Sequence, residues 1–491
     1  MNRNLAPSVA DILFLVIAPL TAITRTARLT HSDGDLAAHI RMGEVILDSR
    51  TIPTHSLASI TAANDALVAH AWLSEVIFAA LFSMGGLAAI TAVTGILVGA
   101  THGAVALFLR HKGIDARWAL AAALISLAVS STHWLARPHM FSIAGVALTV
   151  FLLESPSRRR ILFFAILYLL WANLHGGWIF GLLLMSAWSV GCVIESVLTP
   201  DDRQEWRARA RSGLVSFGVA AAVTFVNPYG FRLHEEVIRG ATSADLARQM
   251  AEFLPPDFQT AAPLPFLLAM LLTVALLALS PRRMSAPHLV ILALTLFLAL
   301  RSFRHMALFG VSAWPLVALH AGKTWPVHRW RLRLFGEIAR LDASTRVGLY
   351  AVPVAALLLI AGLNGGTIGG TRLIRESFIA ERFPVAAIER ARASNLDGPI
   401  FHPWEWGGYI MYAWPGARLV VDPLKFNDAT VTAFSTIDGV KPGWRDELAR
   451  WKVRTVIIPP DSRLAETLRK DTGWTVWHHD STALVFRTAT N

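Results

Sequence analysis

Two carboxylates and two imidazoles crowd the stretch His31-Ser32-Asp33-Gly34-Asp35-Leu36-Ala37-Ala38-His39. If a helix opens at Asp35, then Asp35 and His39 are one turn apart and project from one face, with Leu36, Ile40 and Leu47 as an apolar stripe on another. A carboxylate so placed can take a proton from a hydroxyl. Alternatively, Asp33 and Asp35 can hold a divalent cation such as Mg or Mn through hard oxygen ligands, with His39 orienting the group or adding a ligand. The same residues also fit a plain helix start, because Ser32 followed by Asp35 is a capping box.

The elements that carry this stretch are those of a membrane protein. Of 491 residues 54% are hydrophobic and 16% charged, too apolar a balance for a soluble enzyme, and the pattern predicts a polytopic α-helical membrane protein. The net charge of +11 does not point to nucleic acid, because the basic residues are scattered over short connections and no nucleic-acid-binding motif accompanies them. Cys192 is the only cysteine and lies in an apolar run, which excludes a disulfide framework and a cysteine metal site. The first apolar run, 9–24, has no small-residue cleavage pattern after it and reads as a retained anchor. A first external loop, 25–86, follows, expected to carry two interfacial helices. The second starts near His70-Ala71-Trp72-Leu73-Ser74-Glu75 and precedes a span over 87–109. Further apolar runs start near Trp118, Met140, Ile161, Trp178, Leu214, Pro263, Pro287, Met306 and Val347, giving about eleven transmembrane helices, some shorter than the ~20 residues of a straight span. The membrane domain covers 1–370 and a C-terminal external domain 371–491.

Alternate connections differ in kind. One set holds Arg110, Lys112 and Arg117, then Arg158 to Arg160, Arg203 to Arg211, Arg282 and Arg283, and Lys323 to Arg346, and is cytoplasmic by the positive-inside rule. That places the amino terminus inside and the acidic loop and carboxyl terminus outside, in the periplasm of an inner-membrane protein. The other set is sparse and specific: Arg137-Pro138-His139, Asn173-Leu174-His175-Gly176-Gly177, Asn227-Pro228-Tyr229-Gly230, Glu252 to Asp257-Phe258, and Arg301-Ser302-Phe303-Arg304-His305. A sugar moving from a lipid phosphate to an acceptor hydroxyl needs positive charge on the departing phosphate and a base on the hydroxyl. Asp35 supplies the second, and the guanidinium forks of Arg137, Arg301 and Arg304 the first. His139, His175, His305, Glu75, Glu252 and Asp257 complete the candidate substrate-binding set. Structural readings stand beside these. Arginines at span ends snorkel, Arg137 before proline marks a helix break, and His175-Gly176-Gly177 and Asn227-Pro228-Tyr229-Gly230 are turns by composition. Glu252 and Asp257 fit a solvated loop.

Beyond about residue 371 the pattern becomes that of a small α/β sheet. Helices are expected at 384–392, from Trp406, at 445–451 and at 462–469, strands at 398–401, 418–421 and 455–458, and a closing hairpin over 475–486. No Gly-rich phosphate loop or nucleophile elbow occurs in it.

In this order the motifs resemble those of a family of uncharacterised prokaryotic polytopic proteins close to the GT-C glycosyltransferases, the superfamily of oligosaccharyltransferase and protein mannosyltransferase. The resemblance rests on Asp33, Asp35, His39 and Gly43; His70, Trp72 and Leu73; Arg137, Pro138, Phe141 and Ser142; Asn173, His175, Gly176 and Gly177; Asn227 to Gly230; Glu252, Asp257 and Phe258; and Glu405 to Tyr409. It implies a polyprenyl-phosphate or diphosphate sugar as donor, Asp35 as base with Asp33 second, and a metal that some members need and others do not. The chain departs from the family at Ala71, where a glutamate is usual although Glu75 remains, and at Asp422-Pro423-Leu424-Lys425, which replaces Asp-Gly-Arg. Two other functions fit a polytopic chain: a lipid-linked sugar flippase or transporter, and a non-catalytic receptor or assembly factor. Transporters keep ionisable groups near the membrane midplane, whereas here the polar groups gather at span ends.

Overall fold

The computed structural model describes residues 6–24, 29, 34–155, 157, 159–242, 251–325 and 348–489; Ser32 and Asp33, and with them the expected capping box, lie outside the described residues. Helix α1, Val9–Ile23, starts in a capping box of its own between Ser8 and Asp11. Asp11 Oδ1 also accepts the amides of Gly348 and Ala351 at 3.0 and 3.1 Å, tying α1 to the last helix of the bundle. Helix α2, Gly34–Ser49, follows, and then α3, Trp72–His111. Helix α3 breaks at Gly85 and Gly86, where φ reaches −149° and +64°. The positive φ suits glycine. The break divides a segment packed on α2 from one running beside α1, as the boundary near residue 87 predicts.

The bundle continues through α4 (Ala116–Ser130), α5 (His139–Leu153), α6 (Arg160–Leu174), α7 (Trp178–Leu198), α8 (Arg203–Val223), α9 (Phe231–Thr242), α10 (Leu264–Ala278), α11 (Ala286–Arg301), α12 (His305–Thr324) and α13 (Ala351–Leu363). The apolar runs therefore fall in helices, although Val347 itself lies outside the described residues. Among the described residues only α3 and α7 are long and apolar enough to cross a membrane by length and composition; α1, α5, α6, α10, α11 and α13 are shorter apolar helices. Helix length alone thus does not establish eleven crossings. Exposed apolar side chains such as Leu162, Phe163 and Leu170 of α6, Val190, Val193 and Val197 of α7, and Leu268 and Leu271 of α10 give the bundle an apolar outer face, the kind of surface a bilayer covers. Inside, Gly145 and Gly181 let helices close on the buried Trp171 ring, in the manner of small residues between membrane helices.

The C-terminal domain holds a four-stranded sheet in the order β3-β4-β6-β5; the hairpin of β1 (Thr367–Ile368) and β2 (Thr371–Arg372) precedes it. Strand β3, Ile400–Phe401, runs parallel to β4, Thr455–Ile458; β4 pairs antiparallel with β6, Leu484–Thr488, and β6 with β5, Trp474–His479. The expected strand over 418–421 is reduced to bridges at Leu419, which pairs parallel with Ile400 on one side and Ser59 on the other. The loop between α2 and α3 therefore extends the sheet of the C-terminal domain. It is fixed there by Ser56 Oγ donating to Asp422 Oδ2 at 2.5 Å and by Thr61 Oγ1 donating to the Val420 carbonyl at 2.9 Å.

Helix α2 lies between the bundle and this domain. An added Cβ at Gly43 would fall 1.9 Å from the Glu75 carbonyl oxygen, and one at Gly34 2.0 Å from the Glu405 carbonyl oxygen, so glycine is required for both approaches. Leu36 and Ile40 are buried as expected, but Leu47 is exposed and Ile46 is buried in its place, packed in one cluster with Met42 and Leu67.

Candidate active site

Five connections and the start of α2 bring polar side chains to one end of the bundle. Arg137, in the connection before α5, places Nη1 2.9 Å from Oδ2 of Asp35 in the first turn of α2. One turn further along α2, His39 Nδ1 lies 3.0 Å from Oε1 of Glu75 on α3. Glu75 is 3% exposed, and its other oxygen, Oε2, is buried without a hydrogen-bond partner among the described residues. A buried carboxylate with one open oxygen is costly and needs an explanation.

His70 and His175 close on the same place, their rings 6.1 Å apart. Burial holds the His70 imidazole below its ordinary range against the opposing pull of Glu75. Burial, followed by the fields of His70, His139, Arg304 and His39, pushes His175 well below it. The His175 ring is fixed by its neighbours: Ser142 Oγ lies 2.7 Å from Nδ1, and the Gly177 amide donates to the same nitrogen at 3.1 Å. Trp171 Nε1 donates to Ser142 Oγ at 2.7 Å, which frees the serine proton for His175. The His175 proton is thereby assigned to Nε2.

A second group adjoins the first. Arg304, at the start of α12, sits 3.5 Å from Glu252 Oε1 and over the Phe253 ring at 4.6 Å from its centroid. Glu252 Oε2 is 3.9 Å from His133 Nε2, and the His133 and His139 rings lie 4.4 Å apart, with His139 Nε2 donating to the His133 carbonyl at 2.9 Å. Burial first, and then His139, Arg304 and Arg137, hold His133 well below the imidazole range. His305 packs its ring on Phe180.

Asp35, His39, Glu75, Arg137, His139, His175, Glu252, Arg304 and His305 therefore gather at one end of the bundle. Arg301 is exposed at the end of α11. Asp257 is exposed as well and accepts the Gln259 amide at 3.0 Å in a local turn, which matches its solvated-loop reading. Asp33 lies outside the described residues. His70 and His133 join the group beyond the candidate set; His70 has a signal in its motif position just before the helix that carries Glu75, whereas His133 sits in a short 3-10 turn that carries none. The remaining motif residues are scaffolding: Asn173 Oδ1 accepts Trp72 Nε1 at 2.9 Å, Ser74 Oγ donates to the Leu174 carbonyl at 2.6 Å, and Tyr229 Oη accepts the Ala69 amide at 3.0 Å.

The opposite end of the bundle is built differently. There Glu154 accepts from Lys112 at 3.2 Å, Trp188 at 3.2 Å and His288 at 3.1 Å, and Glu195 accepts from Arg283 and the Ala286 amide. Those are closed networks between helix ends. Among the described residues no cluster of three or more His, Cys, Asp or Glu side chains is placed to hold a metal ion.

No protein-family profile and no curated protein sequence matches the chain. Solved structures do. The archaeal oligosaccharyltransferase AglB from Archaeoglobus fulgidus, in complex with an inhibitory peptide and a dolichol-phosphate, aligns with a TM-score of 0.54 at 12% identity, covering 98% of this chain and 74% of that one. ArnT from Cupriavidus metallidurans, bound to undecaprenyl phosphate, aligns with a TM-score of 0.51 at 13% identity over 97% of both chains. At such identities the structural alignment establishes a shared fold alone.

Proposed function

Because the chain shares the GT-C fold of AglB and ArnT, we propose that it is a membrane glycosyltransferase moving a sugar from a polyprenyl-phosphate-type lipid to an acceptor at the external membrane face. The observation that carries this reading is the grouping of Asp35, Arg137 and Arg304 at one end of an apolar bundle. Arg304 and Arg137 receive the donor phosphate and stabilise the charge that develops as it leaves. Asp35 is the acid of the site, as proton acceptor or, with Asp33, as ligand of a Mg or Mn ion; the described residues alone do not assemble such an ion site, so no step here runs through it. Dolichol-phosphate in the AglB complex and undecaprenyl phosphate in the ArnT complex support a polyprenyl carrier. In this reading the chain sits in the inner membrane with about eleven crossings, its amino terminus cytoplasmic and its C-terminal domain periplasmic.

The test is direct. Purified chain should bind undecaprenyl phosphate and release it from an undecaprenyl-phosphate hexose, and Asp35→Asn and Arg304→Ala should each impair one of these steps. Absence of both binding and release in the folded wild-type protein overturns the reading, and reporter fusions that place the C-terminal domain in the cytoplasm overturn its sidedness.

A further inference from the structure

His39 and Glu75 form a buried pair across two helices. His39 is 9% exposed, and its Nδ1 is engaged by Glu75 Oε1 at 3.0 Å. Its Nε2 has no hydrogen-bond partner among the described residues. A carboxylate accepting from Nδ1–H selects the tautomer whose lone pair is on Nε2, and stabilises the imidazolium that forms when Nε2 takes a proton. Asp35, on the same face of α2, is engaged differently: its Oδ2 is held by the Arg137 guanidinium at 2.9 Å.

Resting on the glycosyl-transfer reading, and moving to His39 the proton-acceptor role that reading offers to Asp35, we infer that His39 is the base that activates the acceptor hydroxyl, with Glu75 as its positioning residue and Asp35 as the group that holds Arg137 toward the donor phosphate. In the step, the acceptor oxygen forms a bond to the anomeric carbon of the donor sugar. The bond from that carbon to the phosphate oxygen breaks, and the electron pair leaves with the lipid phosphate. The hydroxyl proton passes to His39 Nε2, and the Glu75 carboxylate balances the new charge through Nδ1–H. No proton is needed on the departing phosphate, whose charge falls to the arginines.

The dyad also accounts for Glu75. Gly43 brings α2 onto the carbonyl of Glu75, so the backbone contact that sets the helix crossing also sets the distance to His39. The open oxygen Oε2 leaves the carboxylate a second acceptor position beside His70. The charged and titratable groups around His39 are Glu75 on α3, Asp35 and Arg137, and the imidazoles of His70 and His175; helix Gly407–Ala413, packed on α2, adds Tyr409 and Tyr412.

The experiment uses the full chain with undecaprenyl-phosphate hexoses as donors, and follows undecaprenyl phosphate binding separately from its release. His39→Ala is expected to lower kcat by about a hundredfold or more while binding of undecaprenyl phosphate stays within about twofold. Added imidazole should restore part of the rate in proportion to its unprotonated fraction. Glu75→Gln should lose about tenfold or more and move the acid limb of the kcat profile to lower pH, since removing the carboxylate charge makes imidazolium a stronger acid. A His39→Ala protein with near wild-type kcat, a loss that imidazole does not relieve, or an acid limb unmoved by Glu75→Gln assigns the base elsewhere. If release persists and Asp35→Asn alone abolishes it, glycosyl transfer stands and the dyad assignment falls. A wild-type protein that neither binds nor releases undecaprenyl phosphate removes both.

Discussion

Arg137 Nη1 stands 2.9 Å from Asp35 Oδ2, which joins the connection before α5 to the first turn of α2. The pair is partly buried, so each member holds the other against a cost that solvent does not erase. Asp35→Asn keeps the shape and removes the charge. Turnover should fall by about a hundredfold or more at matched folded protein, on the usual scale for a positioned acid-base or charge-holding group. Arg137→Ala should fall by a similar factor. The double variant should lose less than the two factors multiplied, because residues in one ion pair are coupled. Kinetics of the four proteins of this cycle decide it; a folded, fully active Asp35→Asn protein would sink the mechanism. Asp33→Asn, with and without chelator, separates a shared Mg or Mn site from a role for Asp35 alone.

Arg304 is held by Glu252 at 3.5 Å and by the Phe253 ring, a geometry that a snorkelling side chain does not need. Losing one charge-assisted contact costs about 1.5 to 3 kcal/mol, so Arg304→Ala should weaken undecaprenyl phosphate binding by about tenfold or more with expression intact. Arg304→Lys should recover only part of this, since lysine keeps the charge and loses the planar fork. Titration calorimetry in detergent reads both variants, and unchanged affinity in the alanine variant would return Arg304 to a structural role.

Much of this architecture is legible in the chain because it is periodic. The apolar runs, the Gly85-Gly86 break before residue 87 and the 455–458 strand follow from hydrophobic length, backbone freedom and alternation. The pairing of His39 with Glu75 is not legible, since it depends on the crossing of two helices that Gly43 sets and local spacing does not encode. The strand expected at 418–421 takes a partner from the loop between α2 and α3, a pairing that local alternation does not encode, whereas the helix Asp428–Asp438 starts in a local capping box of Asn427 with Thr430, to which Asp65 of that loop adds a bond. Arg301 and Asp257 are candidates by residue type and position alone, and in the fold both are exposed.

His402 gives a pH dependence of stability with a definite sign. Burial pulls its imidazole down to about 4 from 6.5, against the helping bond to the Pro403 carbonyl, and Nε2 is buried without a partner among the described residues. The folded state therefore resists protonation that the unfolded chain accepts. Its contribution is full above pH 6.5 and is lost as pH falls from 6.5 toward 4, on the order of 3 kcal/mol in all. His402→Asn, which can keep a donor near Nδ1, should flatten the fall in melting temperature of the C-terminal domain between pH 7 and pH 5. Parallel curves for the two proteins would show that His402 titrates alike in both states.

The tie between the α2–α3 loop and the C-terminal domain sets the last test. Ser56 Oγ donates to Asp422 Oδ2 at 2.5 Å, and the Leu424 amide donates to Oδ1 at 2.8 Å. Burial pushes the Asp422 carboxyl above its usual range, and these donors oppose that shift. Ser56→Ala leaves one oxygen of a buried acid without its donor, which costs about 1 to 3 kcal/mol. Ser49→Ala is the control, because Ser49 Oγ donates at 2.7 Å to the Val45 carbonyl on an exposed turn and should change stability by less than about 0.5 kcal/mol. The same contact carries a functional consequence. Gly34 and Gly408 pack against one another at the head of α2, so loosening the domain from the loop also loosens the turn that presents Asp35. Ser56→Ala should therefore lower the melting temperature and, at temperatures where the protein is still folded, lower kcat more than undecaprenyl phosphate affinity. Equal melting temperatures for Ser56→Ala and Ser49→Ala would show that the loop and the domain are energetically independent, and a segment 371–491 that melts as high alone as within the full chain would show the same.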